Sequence, residues 1–361
     1  MKVNEDFKVL INVPSFLKDK GGVSNHFLGL STFFPKKRVR FNYTGGLRKY
    51  NKIIVSPIYA YQYIKFIYQL IVFKPDIVNL NPSLHFDAVI RDGLYLLISK
   101  IFNKKVIIFW HGWRTDVEEA IASKHLRLFK YIFNKADVFI ILSSEVKVKL
   151  TQWGFSQPIY FTTTKVDDYL LKGLNLNNKQ YTYNILFLGR LEESKGIFET
   201  LRSFQISQKK YPALTLTFAG SGSAEKALKK VIETENIRNV IFIGFIKNKE
   251  KIRTLSYADI FILPSYTEGM PTAVLEAMAF GIPVITRPVG GIPDFFINNK
   301  MGFLIKSKNP VDFAAKIDIL YSDSNKWREI SKHNYNFAKA NFLASEIAGK
   351  MVKFYSKVYN D

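Results

Sequence analysis

Two glutamates stand close together in the stretch "PSYTEGMPTAVLEAMAFGIPVI", residues 264–285. Glu268 lies in a loop flanked by glycine and proline, and Glu276 lies eight positions later inside an apolar run. Pro271 suits the first position of a helix, where its missing N–H costs nothing, so Glu276 should lie about 7–8 Å along the helix axis. Because an unpaired buried carboxylate costs several kcal/mol, Glu276 needs hydroxyl or amide donors, such as a ribose diol, or a salt bridge to Arg or Lys.

A second group of charged side chains follows a predicted strand in "FLGRLEESKG", residues 187–196. Arg190 can grip phosphate oxygens with a bidentate guanidinium, and Lys195 can act as a point charge beside them. Both stand just before a predicted helix, whose N-terminus favours anions. The stretch lacks the G-x-x-x-x-G-K-[ST] pattern of nucleoside triphosphatases, so it predicts a diphosphate site, with a solvated charged loop as the alternative.

Two further candidate residues lie in the first half of the chain. Gly22 completes a Gly-Gly pair just before a predicted helix, and paired glycines let the backbone approach a ligand closely. A plain turn is the alternative, because the G-x-G-x-x-G dinucleotide pattern is absent. His111 directly follows the apolar run "VIIFW", so it is either a ligand-facing histidine at a strand end or a satisfied core residue.

Short apolar runs alternate with helical patterns along most of the chain, which predicts an α/β protein with parallel sheets. A polar, weakly periodic segment at 162–181 divides the pattern into two Rossmann-like domains. Ligands of such sheets bind at the carboxyl ends of strands, so we expect the site in the cleft between the domains. The predicted strands are 8–13, 76–80, 105–110, 137–142, 184–189, 214–220, 239–244, 259–264 and 282–286, and the predicted helices are 24–34, 58–73, 86–102, 118–134, 196–209, 222–235, 248–257, 271–280 and 310–320.

Composition limits the class of protein. The 361 residues are 47% hydrophobic and 23% charged, which is typical of a globular chain long enough for two domains. The chain has no cysteine, which excludes disulfides, thiolate metal sites and cysteine nucleophiles. The apolar run at 9–13 is too short for a signal peptide, and the run at 58–73 is shorter than the ~20 residues of a membrane span, so we expect a cytoplasmic protein.

The formal net charge of +22 points to an anionic partner or to a solvated lysine-rich surface. Residues 1–182 hold 27 basic and 13 acidic side chains, against 25 and 17 in residues 183–361. An anionic membrane surface and a nucleic acid are the two candidate partners. The aromatic run "IYAYQYIKFIYQLIVF", residues 58–73, stands in the more basic half and is either a membrane-contacting segment or a core-facing helix.

In their order along the chain, these motifs resemble the retaining glycosyltransferases of family four, which have the GT-B architecture of two Rossmann-like domains facing across a cleft. The resemblance rests on the Gly-Gly loop, the histidine after a mid-domain strand, "GRLEESKG", "AGSG" and the E-x7-E pair that begins with "EGMP". It implies an N-terminal acceptor domain at 1–165 completed by a C-terminal helix at 341–361, a linker at 166–182 and a nucleotide-sugar-binding domain at 183–340.

The same resemblance implies roles for the candidate residues. Arg190 and Lys195 would bind the donor diphosphate, and Glu276 would bind the ribose hydroxyls. Glu268 and His111 would be the catalytic groups at the sugar, with Glu268 positioning the sugar and stabilising charge rather than acting as a certain nucleophile. The remaining donor contacts, to the diphosphate, the base or the sugar, would come from Gly22, Gly244, Phe245, Gly269, Met270 and Thr272.

The expected function is transfer of a sugar, with retention of anomeric configuration, from a nucleotide-diphosphate sugar to a glycan or a lipid-linked glycan. We expect a UDP-sugar as donor and a bacterial surface polysaccharide (capsule, O-antigen or lipopolysaccharide) as product. We expect no metal and no cofactor, because the sequence contains no D-x-D motif. Peripheral contact with an anionic membrane, at the inner face of the plasma membrane, is a further hypothesis.

Three alternatives to this function stay open. Two are a nucleotide-sugar epimerase and a non-catalytic protein on the same fold. The third and most remote is a basic nucleic-acid-binding protein, which the charge alone suggests and which would leave the two glutamates unexplained. We therefore expect no nucleic acid among the partners.

Overall fold

The structure is a computed structural model that describes residues 7–14, 21–44, 52–176, 179 and 181–361, with side chains from 57 onward in the third range. The chain divides into two compact units: unit 1 contains Met1–Thr163 and Ala344–Asp361, and unit 2 contains Thr164–Leu343. Each unit is built on one six-stranded parallel sheet. The predicted α/β class with two Rossmann-like domains is confirmed, and their facing across a cleft stays a prediction.

Unit 1 alternates strands and helices, and its sheet has the order β2-β1-β3-β4-β5-β6. Its central strands are buried along their whole length, as expected for a parallel sheet that helices cover on both faces. The elements are β1 (Val9–Pro14), α1 (Gly22–Leu30), β2 (Val39–Thr44), α2 (Lys52–Val72), β3 (Ile77–Leu80), α3 (Phe86–Ile101), β4 (Lys105–Phe109), α4 (Thr115–Ala120), a π-helical turn (Ile121–His125), α5 (Leu126–Phe133), β5 (Val138–Ile141), α6 (Ser144–Gln152) and β6 (Ile159–Phe161).

Unit 2 repeats the alternation with the strand order β12-β11-β10-β7-β8-β9. Its elements are β7 (Asn184–Leu188), α7 (Ile197–Gln208), β8 (Thr215–Ala219), α8 (Glu225–Thr234), β9 (Val240–Gly244), α9 (Asn248–Tyr257), β10 (Ile260–Leu263), α10 (Thr272–Ala279), β11 (Val284–Thr286), β12 (Gly302–Leu304), α11 (Pro310–Ser322) and α12 (Ser324–Asn341), with 3₁₀ turns at Asp168–Leu171, Glu193–Lys195 and Ile292–Asp294.

The last helix, α13 (Ala344–Asn360), belongs to unit 1. The Tyr355 hydroxyl donates to Asn79 Oδ1 at 3.0 Å, and Lys105 Nζ donates to the carbonyl of Val358 at 2.9 Å. The first bond is buried and reaches the end of β3, so α13 is tied to the central strands of that sheet. The N-terminal unit is therefore built from two separate stretches of the chain.

The segment predicted as a linker, residues 166–182, lies within unit 2. Val166 and Leu170 are buried there, and the amide of Val166 donates to the carbonyl of Phe342 at 2.7 Å. The same prediction included Asn177, Asn178 and Gln180, which lie outside the described residues.

Candidate functional site

The sheet order of unit 2 marks where a ligand should bind. β7 and β10 are neighbours, and the chain leaves β7 toward one edge of the sheet and β10 toward the other. Loops diverge at such a switch point and open a crevice at the carboxyl ends of the two strands. The stretch 189–196 follows β7 and the stretch 264–271 follows β10, so both candidate motifs meet at this crevice.

Gly196 lets the two loops pass against each other. Its backbone is left-handed, with φ 73° and ψ 33°, and a Cβ at this position would lie 2.5 Å from the carbonyl oxygen of Pro264. A side chain would therefore face both an unfavourable backbone conformation and a steric clash with the main chain. The residue before it, Lys195, is thereby fixed at the end of a 3₁₀ turn above the crevice.

Lys195 and Glu268 form an ion pair across the switch point. Lys195 Nζ donates to Glu268 Oε1 at 2.7 Å, and the side chains are only 15% and 11% exposed. The pair joins two residues that are 73 positions apart in sequence. Because the two opposite charges are paired and mostly buried, the crevice keeps both a cation and a carboxylate in their charged forms.

The loop that carries Glu268 is held by its own backbone. The amide of Tyr266 donates to the carbonyl of Ser194 at 2.8 Å, and the amide of Gly291 donates to the carbonyl of Gly269 at 2.7 Å. The loops after β7 and β11 thus hydrogen-bond to the Glu268 loop from two sides. Pre-organised main chain of this kind suits a binding loop, because little ordering remains to be done when a ligand arrives.

Helix α10 begins at Thr272, one residue later than predicted, and Pro271 is its N-cap with extended backbone. The first helical amide is that of Thr272 in either case, because proline cannot donate. Met270 is buried, and Thr272 Oγ1 lies 3.2 Å from Thr164 Oγ1. Glu276 is the fifth residue of the helix that the structure assigns.

Glu276 is buried and paired with Lys251 on α9. Lys251 Nζ lies 2.9 Å and 3.1 Å from the two carboxylate oxygens, so the salt-bridge alternative is the arrangement in the structure. Burial raises the pKa of Glu276, and Lys251 and Lys165 oppose that rise. A carboxylate has about four lone-pair positions, so one ammonium leaves acceptor capacity for hydroxyl donors.

Arg190 does not share the Lys195–Glu268 pair. Its side chain is 69% exposed, and its Nη1 donates to Glu192 Oε1 at 2.7 Å. Gly244 is the last residue of β9, two strands away from β7, and Phe245 follows it. Gly244 has a left-handed φ of 68°, and a Cβ there would meet nothing within 4 Å. Phe245 is 75% exposed, so an aromatic face is presented at the end of this strand.

Gly22 and His111 lie in unit 1, at the carboxyl ends of its strands. Gly22 is the first residue of α1, and a Cβ there would meet no heavy atom within 4 Å, so packing does not require a glycine. The His111 ring packs at a tilt against Phe109, with the ring centroids 3.8 Å apart, and its centroid lies 5.2 Å from that of the His26 ring. Burial lowers the pKa of His111 well below its usual value, and the nearby His26 lowers it further, so the ring is neutral.

Asn81 determines which nitrogen of His111 carries the proton. Asn81 Nδ2 donates to the carbonyl of Asn12 at 2.8 Å, so its Oδ1 is the atom that lies 3.2 Å from His111 Nε2. An amide oxygen accepts hydrogen bonds, and we infer that Nε2 is protonated and that Nδ1 offers a lone pair. Asn79 Nδ2 donates to the same Oδ1 at 2.9 Å and fixes the amide further.

Lys251 and Asn81 were missed by the sequence analysis. Lys251 stands in a lysine-rich stretch, "KNKEK", in which nothing distinguishes it, and Asn81 is one of several asparagines near strand ends. The signal for Lys251 was Glu276 itself, because a buried carboxylate without a known partner implies a nearby Arg or Lys or a bound ligand. In the described ranges, no group of three or more metal-ligating side chains is found, and no helix is long and apolar enough to cross a membrane.

Residues 174–337 match the family model described as Glycosyl transferases group 1. An uncharacterized glycosyltransferase of Methanocaldococcus jannaschii is 31% identical over 232 residues, which are 59% of this chain and 56% of that protein. The putative teichuronic acid biosynthesis glycosyltransferase TuaC of Bacillus subtilis is 27% identical over 297 residues, which are 79% of this chain and 71% of that protein. The chain thus spans little more than half the length of the first relative.

The fold is shared with a solved structure. The Anabaena protein HepE, crystallised in complex with UDP, superposes with a TM-score of 0.74 over 97% of this chain and 100% of that chain, at 17% identity. At the level of fold, this likeness confirms the predicted GT-B fold class with its two Rossmann-like units, and their facing across a cleft stays a prediction. The match at 174–337, which is less than half of the chain, makes that stretch similar to the family Glycosyl transferases group 1.

Proposed function

We propose that the protein is a retaining glycosyltransferase that moves a sugar from a nucleotide-diphosphate sugar, a UDP-sugar by preference, to a glycan or lipid-linked glycan. The proposed product is a bacterial surface polysaccharide. The similarity of residues 174–337 to the glycosyl transferase family model supports the transferase class, and the name of the Bacillus relative associates that protein with teichuronic acid biosynthesis. The name of the HepE structure supports UDP as the nucleotide to test first.

The Lys195–Glu268 ion pair is the observation that carries the proposal. A donor diphosphate needs a cation at the leaving group, and a retaining transfer develops positive charge on the sugar ring that a carboxylate stabilises. The pair places both groups at the switch point of one sheet, 2.7 Å apart. When the diphosphate takes over part of the lysine charge, the Glu268 carboxylate is released to act on the sugar side.

The surrounding groups fit the remaining parts of a nucleotide. Arg190 is exposed on the loop after β7, from which its guanidinium can swing to a second phosphate oxygen. Glu276 retains acceptor capacity for a ribose diol beside Lys251. The exposed ring of Phe245 offers a flat apolar face on which a base can stack. We propose backbone contacts to the sugar from Gly269, Met270 and Thr272.

We propose that leaving-group stabilisation comes from the cations Arg190 and Lys195 and from helix N-termini, without a bound metal. The acceptor would attack on the face of the sugar from which the diphosphate leaves, with the departing phosphate oxygen taking the acceptor proton. Glu268 then positions the sugar and stabilises charge. The roles of the Gly22 amide at the diphosphate and of His111 at the sugar stay predictions from the sequence.

A thermal-shift screen against UDP-, GDP-, ADP- and dTDP-sugars tests the donor class, because a ligand that binds the folded protein raises its melting temperature. The best donor is then incubated with candidate acceptors, and the products are separated. Nucleoside diphosphate together with a glycosylated acceptor supports the proposal. An isomerised donor would identify an epimerase, and a shift without turnover would identify a non-catalytic binder. No shift with any of the four donors would overturn the proposal.

A further inference from the structure

Three neighbouring helices of unit 1 expose an unusual surface. Helices α2, α3 and α5 connect strands of one sheet and bury their inner sides in one hydrophobic core. The Tyr63 hydroxyl on α2 donates to the carbonyl of Arg91 on α3 at 3.4 Å, and the side chain of Ile132 on α5 lies against Gly93 of α3. We call their outer side the α2–α3–α5 face; its exposed large apolar residues are Tyr61, Ile64, Tyr68, Ile71, Val72, Phe86, Ile90, Leu94, Leu128 and Tyr131.

Helix α2 is apolar on both sides. Its inner side is buried at Phe66 and Leu70, as a core helix requires. Its outer side carries Tyr61, Ile64 and Tyr68 at helical spacing, and these side chains are 64%, 65% and 59% exposed. A helix that is apolar all round is normally buried, so this outer side calls for a partner.

Helix α3 continues the same pattern. Phe86, Ile90 and Leu94 follow one another at intervals of four residues, which places them on one side of the helix, and Ile90 is 64% exposed. On α5, Leu128 and Tyr131 are more than half exposed. Three adjacent helices therefore present apolar side chains outward instead of the polar ones typical of a solvated layer.

The charges around this face are mostly basic, with the exposed Asp87 of α3 as an acidic exception. The sequences of α2 and α5 contain no Asp or Glu, and the acidic residues of α3 are Asp87 and the buried Asp92, which pairs with Arg91. Basic side chains stand at the ends and edges of the helices, at Lys65, Lys74, Lys124, Arg127 and Lys135. Aromatic and aliphatic residues interleaved with lysine and arginine are the composition of a surface that lies in the interface of an anionic bilayer.

We propose that unit 1 docks on an anionic lipid bilayer through the α2–α3–α5 face. The apolar side chains enter the headgroup region, and the basic side chains contact lipid phosphates. The occupant is a bilayer rather than a protein partner because the face combines a wide apolar surface with predominantly basic charge around it. The link to a lipid-linked acceptor rests on the proposed function, since such an acceptor is confined to a membrane, but the surface itself does not.

Vesicle co-sedimentation tests the proposal with the full chain. Vesicles of phosphatidylcholine are compared with vesicles that contain 30 mol% phosphatidylglycerol, at low salt and at 0.5 M salt. We expect binding to the anionic vesicles at least tenfold stronger than to the neutral ones, and weaker binding at high salt because the charges are screened. The double variant Ile64→Glu, Ile90→Glu should bind at least tenfold more weakly than wild type.

A matched control is Val311→Glu, which introduces the same charge at an apolar residue of α11 in unit 2 that is 55% exposed. This variant should bind vesicles nearly as well as wild type. The thermal shift with nucleotide-sugars is measured on all three proteins, so that a failed surface is distinguished from a failed donor site or a misfolded variant. The proposal would be overturned if wild type did not bind anionic vesicles, or if the double variant bound them as strongly as wild type. A dimer that the double variant disrupts while vesicle binding is unchanged would also overturn it, since the face would then be covered by a second copy.

Discussion

Replacing Glu276 with glutamine should improve stability at neutral pH while weakening donor binding. The carboxylate is 6% exposed and shares one ammonium, Lys251, which is 22% exposed. Glutamine keeps the shape and one acceptor oxygen, so Lys251 can still donate to it. The variant removes the desolvation of a buried charge, which amounts to several kcal/mol per ion before pairing is counted.

The pH dependence of stability gives the size and the sign of the stability difference between Glu276→Gln and wild type. Burial raises the pKa of Glu276 above its ordinary 4.5. A carboxyl whose folded pKa is raised contributes stability that is fully present below the unfolded pKa and is lost as pH rises through the folded pKa. The unfolding free energy of Glu276→Gln minus that of wild type should therefore increase above pH 4.5, by about 1.4 kcal/mol for each unit by which the pKa is raised.

Donor binding should change in the opposite direction. A hydrogen bond from a ribose hydroxyl to a carboxylate contributes about 1.5–3 kcal/mol, and a neutral amide oxygen accepts more weakly. We expect Glu276→Gln to raise the dissociation constant for UDP about tenfold to a hundredfold. Urea unfolding between pH 4 and 8 and titration calorimetry at pH 7.5 measure the two effects.

Glu225→Gln is the matched control, because Glu225 is also an ion-paired glutamate of unit 2 but lies on the surface of α8. It should alter the pH dependence of stability and the UDP affinity little. A stability difference between Glu276→Gln and wild type that is flat from pH 4 to 8 would contradict the prediction. The prediction is also contradicted if the variant binds UDP as tightly as wild type.

The remaining predictions concern the catalytic groups and the loop geometry. Glu268→Gln should lower kcat by about 10²–10³ with little change in the donor KM, as initial rates will measure, and unchanged turnover would remove Glu268 from the chemistry. Nitrogen-15 spectra of the imidazole should show His111 neutral with the proton on Nε2, and Asn81→Leu should disturb that preference; a proton on Nδ1 would contradict the assignment. Gly196→Ala should lower the unfolding free energy by about 1–3 kcal/mol or more in urea titrations, whereas Gly349→Ala, at a helical position with open space around its Cα, should not.

Much of the fold could be predicted because buried parallel strands are continuous apolar runs. The strand at 137–142 and the helix at 248–257 were predicted to within a residue of β5 and α9. β2 was missed because its sequence, VRFNYT, alternates polar and apolar residues next to a basic cluster. Helix α12 was missed because it is polar over most of its length and buries residues such as Trp327 and Ile330 only through tertiary packing.

The candidate site was predictable as two motifs but not as an arrangement. Loop length and strand pattern placed Lys195 and Glu268 at strand ends, yet their contact depends on β7 and β10 being neighbours, which sequence order does not reveal. The partner of Glu276 was left open between a ligand and a cation. Only the structure identifies that partner, because Lys251 lies on α9, 25 positions before Glu276 in the sequence. The start of α10 was misplaced by one residue because Pro271 is compatible with both positions.

We propose that the crevice between β7 and β10 binds a nucleoside diphosphate through Lys195. The direct measurement is titration calorimetry of UDP and UMP against wild type and Lys195→Met, with Lys210→Met as control because Lys210 is an exposed, ion-paired lysine of the same unit. We predict that wild type and the control bind UDP at least about tenfold more tightly than UMP, and that Lys195→Met loses most of this preference. Equal affinity of wild type for UDP and UMP, or an undiminished preference in Lys195→Met, would contradict the proposal.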